Sequence, residues 1–444
     1  MHSLPSSIQE EGDGQEKFHT VNLREVLFVE PSFIICVIKD RWYTMRFQMR
    51  FLSRCLPVWP ILVLLALFVS ACSMSTSTNP PSNPKSVSGS AFSNIAPPST
   101  PLVCPGQTSS GGLNAFVKTN GSSFLYHGNP INLNGYTFYP SAIGGASAWH
   151  QPTFTHYIDN IMNMGAQLGQ NLIRPTDFWD VHDKQPEKSS VTVWRNVDYL
   201  VCAAQRHAIF VEMDVSAFEK VLISKNLDAF DPNHWKTFLT AVGNHYKNQS
   251  AVAFYGIVGE PKVPKNSDEM NKLVNFYRVT TDTLRAADPN HLITAGGFNH
   301  MEEETPSLPW WQKIYALPNN DIVAFKTYSL DDIHLIHRIA AFAKSIHKPA
   351  SDEEFGMPQS NGDATFVGSQ GFLGIQMSRA QFYQAVYSTG EQGGVSSFIF
   401  WNLGCELRSN SFEINPKTPA VWLVVRQHGP DKPASPVANQ PLCP

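Results

Sequence analysis

A single-domain α/β fold, a (β/α)8 barrel, is the architecture this 444-residue sequence predicts. Three observations carry it. Eight short β-rich runs alternate with amphipathic helical patterns between residues 113 and 430, the order that closes a parallel sheet into a barrel. The first run is followed by Tyr136-Thr137-Phe138-Tyr139-Pro140, with neither GxGxxG nor GxxxxGK[ST], so a doubly wound nucleotide-binding sheet is disfavoured. The nucleophile elbow GxSxG is also missing, because Val367-Gly368-Ser369-Gln370-Gly371 lacks its first glycine.

The elements are taken in chain order. Leu56 to Ala71 is an almost unbroken apolar run behind Arg46, Arg50 and Arg54, and it ends in Val69-Ser70-Ala71-Cys72. A basic stretch, an apolar stretch and small residues at a cleavage point make an export signal, here over 45–71. The run is short for a membrane span and holds Pro57 and Pro60. Signals begin close to the initiator, so Met45 or Met49 is expected to be the true start and 1–44 an upstream extension. Residues 72–112, rich in Ser, Thr, Pro, Asn and Gly, bury too little to offset their chain entropy and are expected to form a tether. The barrel domain is expected over 113–444.

Within it, strands are expected at Ile131–Tyr136, Asn171–Arg174, Ala208–Asp214, Ala253–Gly259, His291–Ala295, Ile322–Tyr328, Pro349–Phe355 and Val395–Trp401. Helical periodicity covers Phe154–Leu168, Trp194–Arg206, His234–His245, Met270–Ala287, Trp310–Leu317, Ile333–His347 and Arg379–Thr389, with a last helix near Ala420–His428. Asp231-Pro232-Asn233 reads as a helix cap with an early proline, and Asp288-Pro289-Asn290 as a helix stop.

Composition limits the function classes. Lys and Arg number 33 against 37 Asp and Glu, a formal charge of -4, which leaves no basic excess for nucleic acid. Only 16% of residues are charged and 11% are aromatic. Residues 1–71 are charge-balanced, so the low charge belongs to the rest of the chain. Cys104, Cys202, Cys405 and Cys443 follow Cys72, and an exported chain can oxidise them. A Cys104–Cys443 bridge would clip the two ends of the domain; Cys202 and Cys405, in apolar surroundings, read as buried thiols, although the sequence leaves the connectivity open. CxxC and HExxH are absent, and His334 with His337 reads as a helix-surface pair. No cofactor or metal is implied, and a monomer is expected.

Barrel chemistry sits at the C-terminal ends of strands. Those ends present Arg174, Glu260, Tyr328, Glu354 and Trp401. Two carboxylates on opposite walls are what glycoside hydrolysis requires: one protonated to serve the leaving oxygen, one ionised to attack the anomeric carbon, about 5–5.5 Å apart when configuration is retained.

On these residues the domain resembles glycoside hydrolase family 5, the cellulase and mannanase family. Phe116-Val117-Lys118, Phe124, His127-Gly128-Asn129-Pro130-Ile131 and Asn134-Gly135 are similar to its opening, and Gly169-Gln170-Asn171-Leu172-Ile173-Arg174 to its GxNxxR strand. Ala251 to Pro261, ending Val258-Gly259-Glu260-Pro261, resembles the acid/base strand. Lys348-Pro349 with Glu353-Glu354-Phe355-Gly356 resembles the nucleophile strand, and Phe398-Ile399-Phe400-Trp401-Asn402 the eighth strand. The resemblance implies Glu260 as general acid/base, Glu354 as nucleophile, Arg174 supporting Glu354, Tyr328 hydrogen-bonded to it, and Trp401 under the sugar, with Trp179 and Trp310-Trp311 as further stacking candidates. Glu353, one residue out of phase, is expected to face the barrel wall or the helix layer. The motif ending at Cys72 is similar to a bacterial lipobox and implies lipid attachment there, hence an exported protein held at the membrane surface or secreted.

The chain departs from the family at Gly259, where members carry Asn, and at Lys326, where they carry His; Glu212-Met213-Asp214 likewise lacks a His found in many. The Asn contacts the sugar 2-hydroxyl, and losing about 3 kcal/mol there slows a reaction roughly 150-fold without abolishing it. The expected activity is therefore that of a retaining glycoside hydrolase on a β-linked mannan- or glucan-type carbohydrate. The rivals are a catalytically impaired barrel that only binds carbohydrate and a structural lipoprotein with no sugar site.

Overall fold

The computed structural model describes 34–38, 41–45, 92–105, 116–140, 143–359, 365–367, 376–406 and 411–430. The apolar run, Cys72 and most of the expected tether lie outside the described residues. The chain divides into two units, Met1–Pro84 and Lys85–Pro444. In the first, Ile34–Ile38 pairs antiparallel with Arg41–Met45.

The second unit holds the barrel. Its parallel strands are β1 (Leu133–Phe138), β2 (Leu172–Pro175), β3 (Phe210–Asp214), β4 (Val252–Gly256), β5 (Leu292–Thr294), β6 (Val323–Thr327), β7 (Ala350–Phe355) and β8 (Ser397–Phe400). They pair in the order β5-β4-β3-β2-β1-β8-β7-β6. Bridges Thr294–Ile322 and Phe298–Phe325 join β5 to β6 and close the ring. Every residue of these strands is buried, as expected when helices cover the outside and side chains fill the inside.

The helices are α1 (Thr155–Gln167), α2 (Pro186–Arg206), α3 (Ala217–Ser224), α4 (Pro232–Tyr246), α5 (Ser267–Ala287), α6 (Trp310–Tyr315), α7 (Leu330–Ser345), α8 (Arg379–Gly393) and α9 (Pro419–Gln427). Asp231 caps α4 by accepting from the Asn233 N–H, with Pro232 in the first turn. Helix α2 starts eight residues before the apolar pattern, because Pro186 is pre-set for a first helical turn. Helix α3 was not legible in the sequence: it is a single buried face, Ala217, Phe218, Val221 and Leu222, too short to show a period.

A three-stranded antiparallel sheet, Lys118–Asn120, Ser123–Tyr126 and Asn129–Ile131, lies ahead of the barrel. It supplies Phe124 to an apolar layer with Leu133, Leu172, Phe210, Phe254, Leu292, Ile322 and Ile399, residues at or near the strand starts. This sheet plugs the N-terminal end, so only the opposite end is left open for chemistry. The expected first strand, Ile131–Tyr136, straddled the plug and the true β1.

Residues 92–105 also belong to the domain. Phe92 packs edge-on against Phe218 at 5.4 Å. The Ile95 carbonyl accepts from Ser190 and from the Trp194 indole at 3.0 and 2.6 Å. Cys104 is disulfide-bonded to Cys202. Cys104 therefore does not reach Cys443, and Cys202 is no free thiol; the strap brings the two sulfurs together across 98 residues, a proximity invisible in sequence order. Cys405 is disulfide-bonded as well.

Candidate active site

The open end of the barrel gathers the expected side chains. Arg174, near the end of β2, is 4% exposed and sits at the centre. Its guanidinium reaches Asp214 at 2.6 Å, Glu354 at 2.6 Å, and Glu212 and Glu353 at 3.5 Å each. Its Nη1 also donates to Thr137 Oγ1 at 3.4 Å. Burial alone would lower the arginine's pKa; the four carboxylates reverse that and raise it well above normal, so the cation is permanent.

Glu354, in β7, accepts on one oxygen from Arg174 and from Lys326 Nζ at 2.8 Å, and on the other from the Tyr328 hydroxyl at 2.5 Å. Burial works to raise its pKa, but Lys326 and Arg174 outweigh it and hold the carboxyl at about 2. Lys326 in turn is raised, the Glu354 charge overcoming the cost of burial, and Tyr328 is raised by burial and by Glu354. One anion is thus matched by two fixed cations and a phenol that stays protonated.

Glu260 lies four residues beyond β4, with its side chain 46% exposed in the mouth. Its carboxylate meets Lys326 Nζ at 3.1 Å. Both carboxylates therefore touch the same ammonium, which sets the contacting oxygens about 6 Å apart at most, a bound compatible with the roughly 5–5.5 Å of a retaining pair. The expected strand ran to Gly259, whereas β4 stops at Gly256; Ile257 and Val258 still donate to Thr294 and Ala295, and Glu260 donates to the Gly297 carbonyl at 3.1 Å. Glu260 has a positive φ of 52°, a turn that lifts its side chain out of the strand plane into the opening.

Gly259 is enforced by packing. A Cβ there would lie 2.8 Å from the Gly297 carbonyl oxygen and 3.6 Å from Lys326 Cε. This backbone leaves no room for the family's Asn, and the Lys326 stem runs beside the gap.

Two expectations are corrected. Trp179 is fully buried, its ring against Trp194 and Phe178, so it packs as a core residue rather than standing open in the mouth. Trp310 and Trp311 are likewise buried under Phe298 and Phe342. Trp401 stands half-buried directly after β8, with Tyr139 stacked on it at 5.8 Å. Its peptide to Asn402 is cis.

Glu353 is the second correction. It does not face away from Glu354, because β7 bulges. Phe325 pairs with Asp352 but Lys326 pairs with Glu354, and against β8 the register slips again between Asp352 and Phe355. The extra residue is Glu353, and the bulge turns both glutamates toward Arg174. Asp352 stays buried, and burial pushes its carboxyl well above the usual range. Glu212, Asp214 and Glu353 are site residues that strand-end reasoning did not single out; the doubled Glu353-Glu354 was the one visible signal.

A family model described as cellulase (glycosyl hydrolase family 5) matches residues 125–399. The chain is 22% identical over 218 residues to mannan endo-1,4-beta-mannosidase 2 of Arabidopsis thaliana, covering 41% of this chain and 48% of that one. It is 21% identical over 373 residues to mannan endo-1,4-beta-mannosidase 5 of the same plant, covering 68% and 82%. It thus spans about half the length of the first relative and most of the second. Among solved structures, the endo-beta-1,4-mannanase from Thermotoga petrophila superposes with a TM-score of 0.53 at 15% identity, over 68% of this chain and 77% of that one. The endo-1,4-beta-mannanase from Rhizomucor miehei gives 0.52 at 16% identity, over 70% and 98%. At these identities the superpositions establish the barrel fold.

Proposed function

The chain belongs to glycosyl hydrolase family 5, and on that premise we propose that it is a retaining glycoside hydrolase acting on a β-linked polysaccharide or oligosaccharide. The observation that carries the proposal is the shared ammonium: Glu260 and Glu354 each lie within 3.1 Å of Lys326 Nζ. Glu354 is the nucleophile. Kept ionised, it attacks the anomeric carbon as Glu260 gives its proton to the departing oxygen. A glycosyl ester of Glu354 forms and the glycosidic bond breaks. Glu260, now a carboxylate, takes a proton from water; the hydroxide equivalent attacks the same carbon, and Glu354 leaves unchanged.

The two inversions restore the starting configuration. Tyr328 orients the nucleophile, and Trp401 offers a ring face for the sugar's apolar side. Mannan or a glucan is the proposed substrate class, supported by the activities named for the relatives. The impaired-barrel alternative, which rests on Gly259 and Lys326, is not favoured, because the family is one of glycosidases and Glu260 and Glu354 lie together at the mouth.

The assignment is tested by release of reducing sugar from β-mannans and β-glucans. Glu260→Gln and Glu354→Gln are each expected to lower kcat about 10²–10⁴-fold or more. Activity retained in both variants rejects the roles assigned to them.

Export and lipid attachment at Cys72 are part of the same proposal, supported by the apolar run before it and by the Cys104–Cys202 disulfide, a bond that persists in oxidising compartments. Intact mass of the native protein decides the matter; a species that retains Glu10 or Phe28 overturns it.

A further inference from the structure

Five carboxyl groups surround two cations at the barrel mouth. Asp214 and Glu354 hold the short contacts to Arg174, and Glu260 and Glu354 hold Lys326. Glu212 and Glu353 are left with 3.5 Å approaches to the Nε and Nη2 of Arg174. Both are completely buried, at 0% and 1% exposure. Among the described residues, no hydrogen-bond donor reaches either oxygen of Glu212 or Oε2 of Glu353.

The backbone packs against them closely. Glu212 Oε1 lies 2.9 Å from where a Gly256 Cβ would stand, and Glu353 Cδ lies 3.3 Å from that of Gly297. These glycines make room for two carboxyl groups and bring no charge of their own. If every carboxyl were ionised, the buried members alone, Asp214, Glu212, Glu353 and Glu354 around Arg174 and Lys326, would carry a net negative charge, which burial opposes.

We propose that Glu212 and Glu353 share one retained proton at neutral pH and act as a positioning pair, leaving Arg174 and Lys326 to serve the adjacent Glu354. Two neighbouring glutamates reach the same arginine, and the pair decides which one carries the reactive charge. Every charged group facing the pair fits this division. Arg174 from β2 and Lys326 from β6 favour ionisation, Asp214 from β3 opposes it, and each member of the pair opposes the other. Burial, first, and Glu353 raise Glu212 well above the usual carboxylate range; burial also raises Glu353, against Arg174 and Lys326.

The inference rests on the reading of Glu354 as nucleophile, but its primary test needs no activity. At pH 6–7 the unfolded chain has lost its glutamate protons. A folded state that retains one takes up a proton on folding. The folding equilibrium then weakens by a factor of ten for each pH unit from this source, until the pair titrates.

Denaturant unfolding of the full chain is measured across pH 5–8 in wild type, Glu212→Gln and Glu353→Gln. The tenfold-per-unit component is expected in wild type and lost in both variants. Identical slopes in wild type and variants overturn the proposal. Should the variants fail to fold, the infrared carbonyl band of a protonated, buried carboxylic acid is recorded at neutral pH in Asp352→Asn, which removes the other strongly raised buried carboxyl; a band that remains supports the pair, and its absence overturns the proposal.

On the best substrate, Glu353→Gln is expected to lower kcat/KM less than Glu354→Gln, which loses at least a hundredfold. A collapse of both to the same degree also overturns the pair. A wild type inactive on every glycoside rejects the proposed function while the proton measurement still decides the pair.

Discussion

Lys326 couples the two mouth carboxylates, and its charge has a sign that can be tested. Glu354 sits at about 2, so its contribution to folding is present above the unfolded glutamate value of about 4.3 and is lost as pH falls toward 2. In the proposed mechanism turnover needs Glu354 ionised, so on its account the acidic limb of kcat/KM is expected far into acid. Lys326→Met removes the largest favourable charge while Arg174 remains. The acidic limb is expected to move up by about one pH unit or more, and the variant to lose stability at neutral pH. A pH–rate profile checks this; an acidic limb that stays in place rules out Lys326 as the main determinant. The lysine itself was visible in the sequence as a departure from the family. That its ammonium meets both glutamates was not, because Glu260 and Glu354 are 94 positions apart on different strands.

At the scale of elements, two local irregularities shape the mouth. The loop after β4 is pressed onto the extension of β5: Tyr277 donates to the Val258 carbonyl at 2.7 Å, Tyr315 donates to that of Gly296 at 2.6 Å, and Gly296 has a φ of 106°. Gly259 fits there because it has no Cβ. Gly259→Asn, which restores the family residue, is therefore expected to cost about 1–3 kcal/mol of stability with no gain in kcat, read by urea unfolding and initial rates. A faster, equally stable variant refutes the packing argument. The second irregularity is the bulge in β7. Strand alternation places Glu353 outside the site; the bulge adds a residue and reverses that placement. Periodicity in the sequence reports an ideal strand and carries no sign of where pairing slips.

At the largest scale, the unit Lys85–Pro444 holds a barrel plugged at one end and open at the other. The plug explains why the chain before β1 is rich in apolar residues at Phe116, Val117 and Phe124. The strap of residues 92–105 runs over α2 and α4; Leu102 donates to the His245 carbonyl at 2.8 Å, near the end of α4, and Cys104 joins Cys202 near the end of α2. Those helix ends lead into strand starts, on the side away from the mouth. Replacing Cys104 and Cys202 together by Ser is expected to lower unfolding stability by about 2–4 kcal/mol, because the unfolded chain regains the freedom of a 98-residue separation. Activity below the new transition should persist. A loss of kcat with unchanged stability would place the bond in the catalytic apparatus instead.

The sequence by itself determined the barrel, its eight strands to within a few residues, and the placement of Glu260, Glu354, Arg174, Tyr328 and Trp401 at or just beyond the strand ends. Those follow from local patterns: buried parallel strands read as apolar runs, and barrel chemistry falls at their ends. Tertiary structure decided the rest. Trp179 became core because α2 and its Trp194 close over it, the disulfide formed where the strap crosses α2, and Glu353 entered the site through a slip in register. Each depends on which distant groups meet in space, and the charge state of a buried carboxyl depends on every charge around it rather than on its neighbours along the chain.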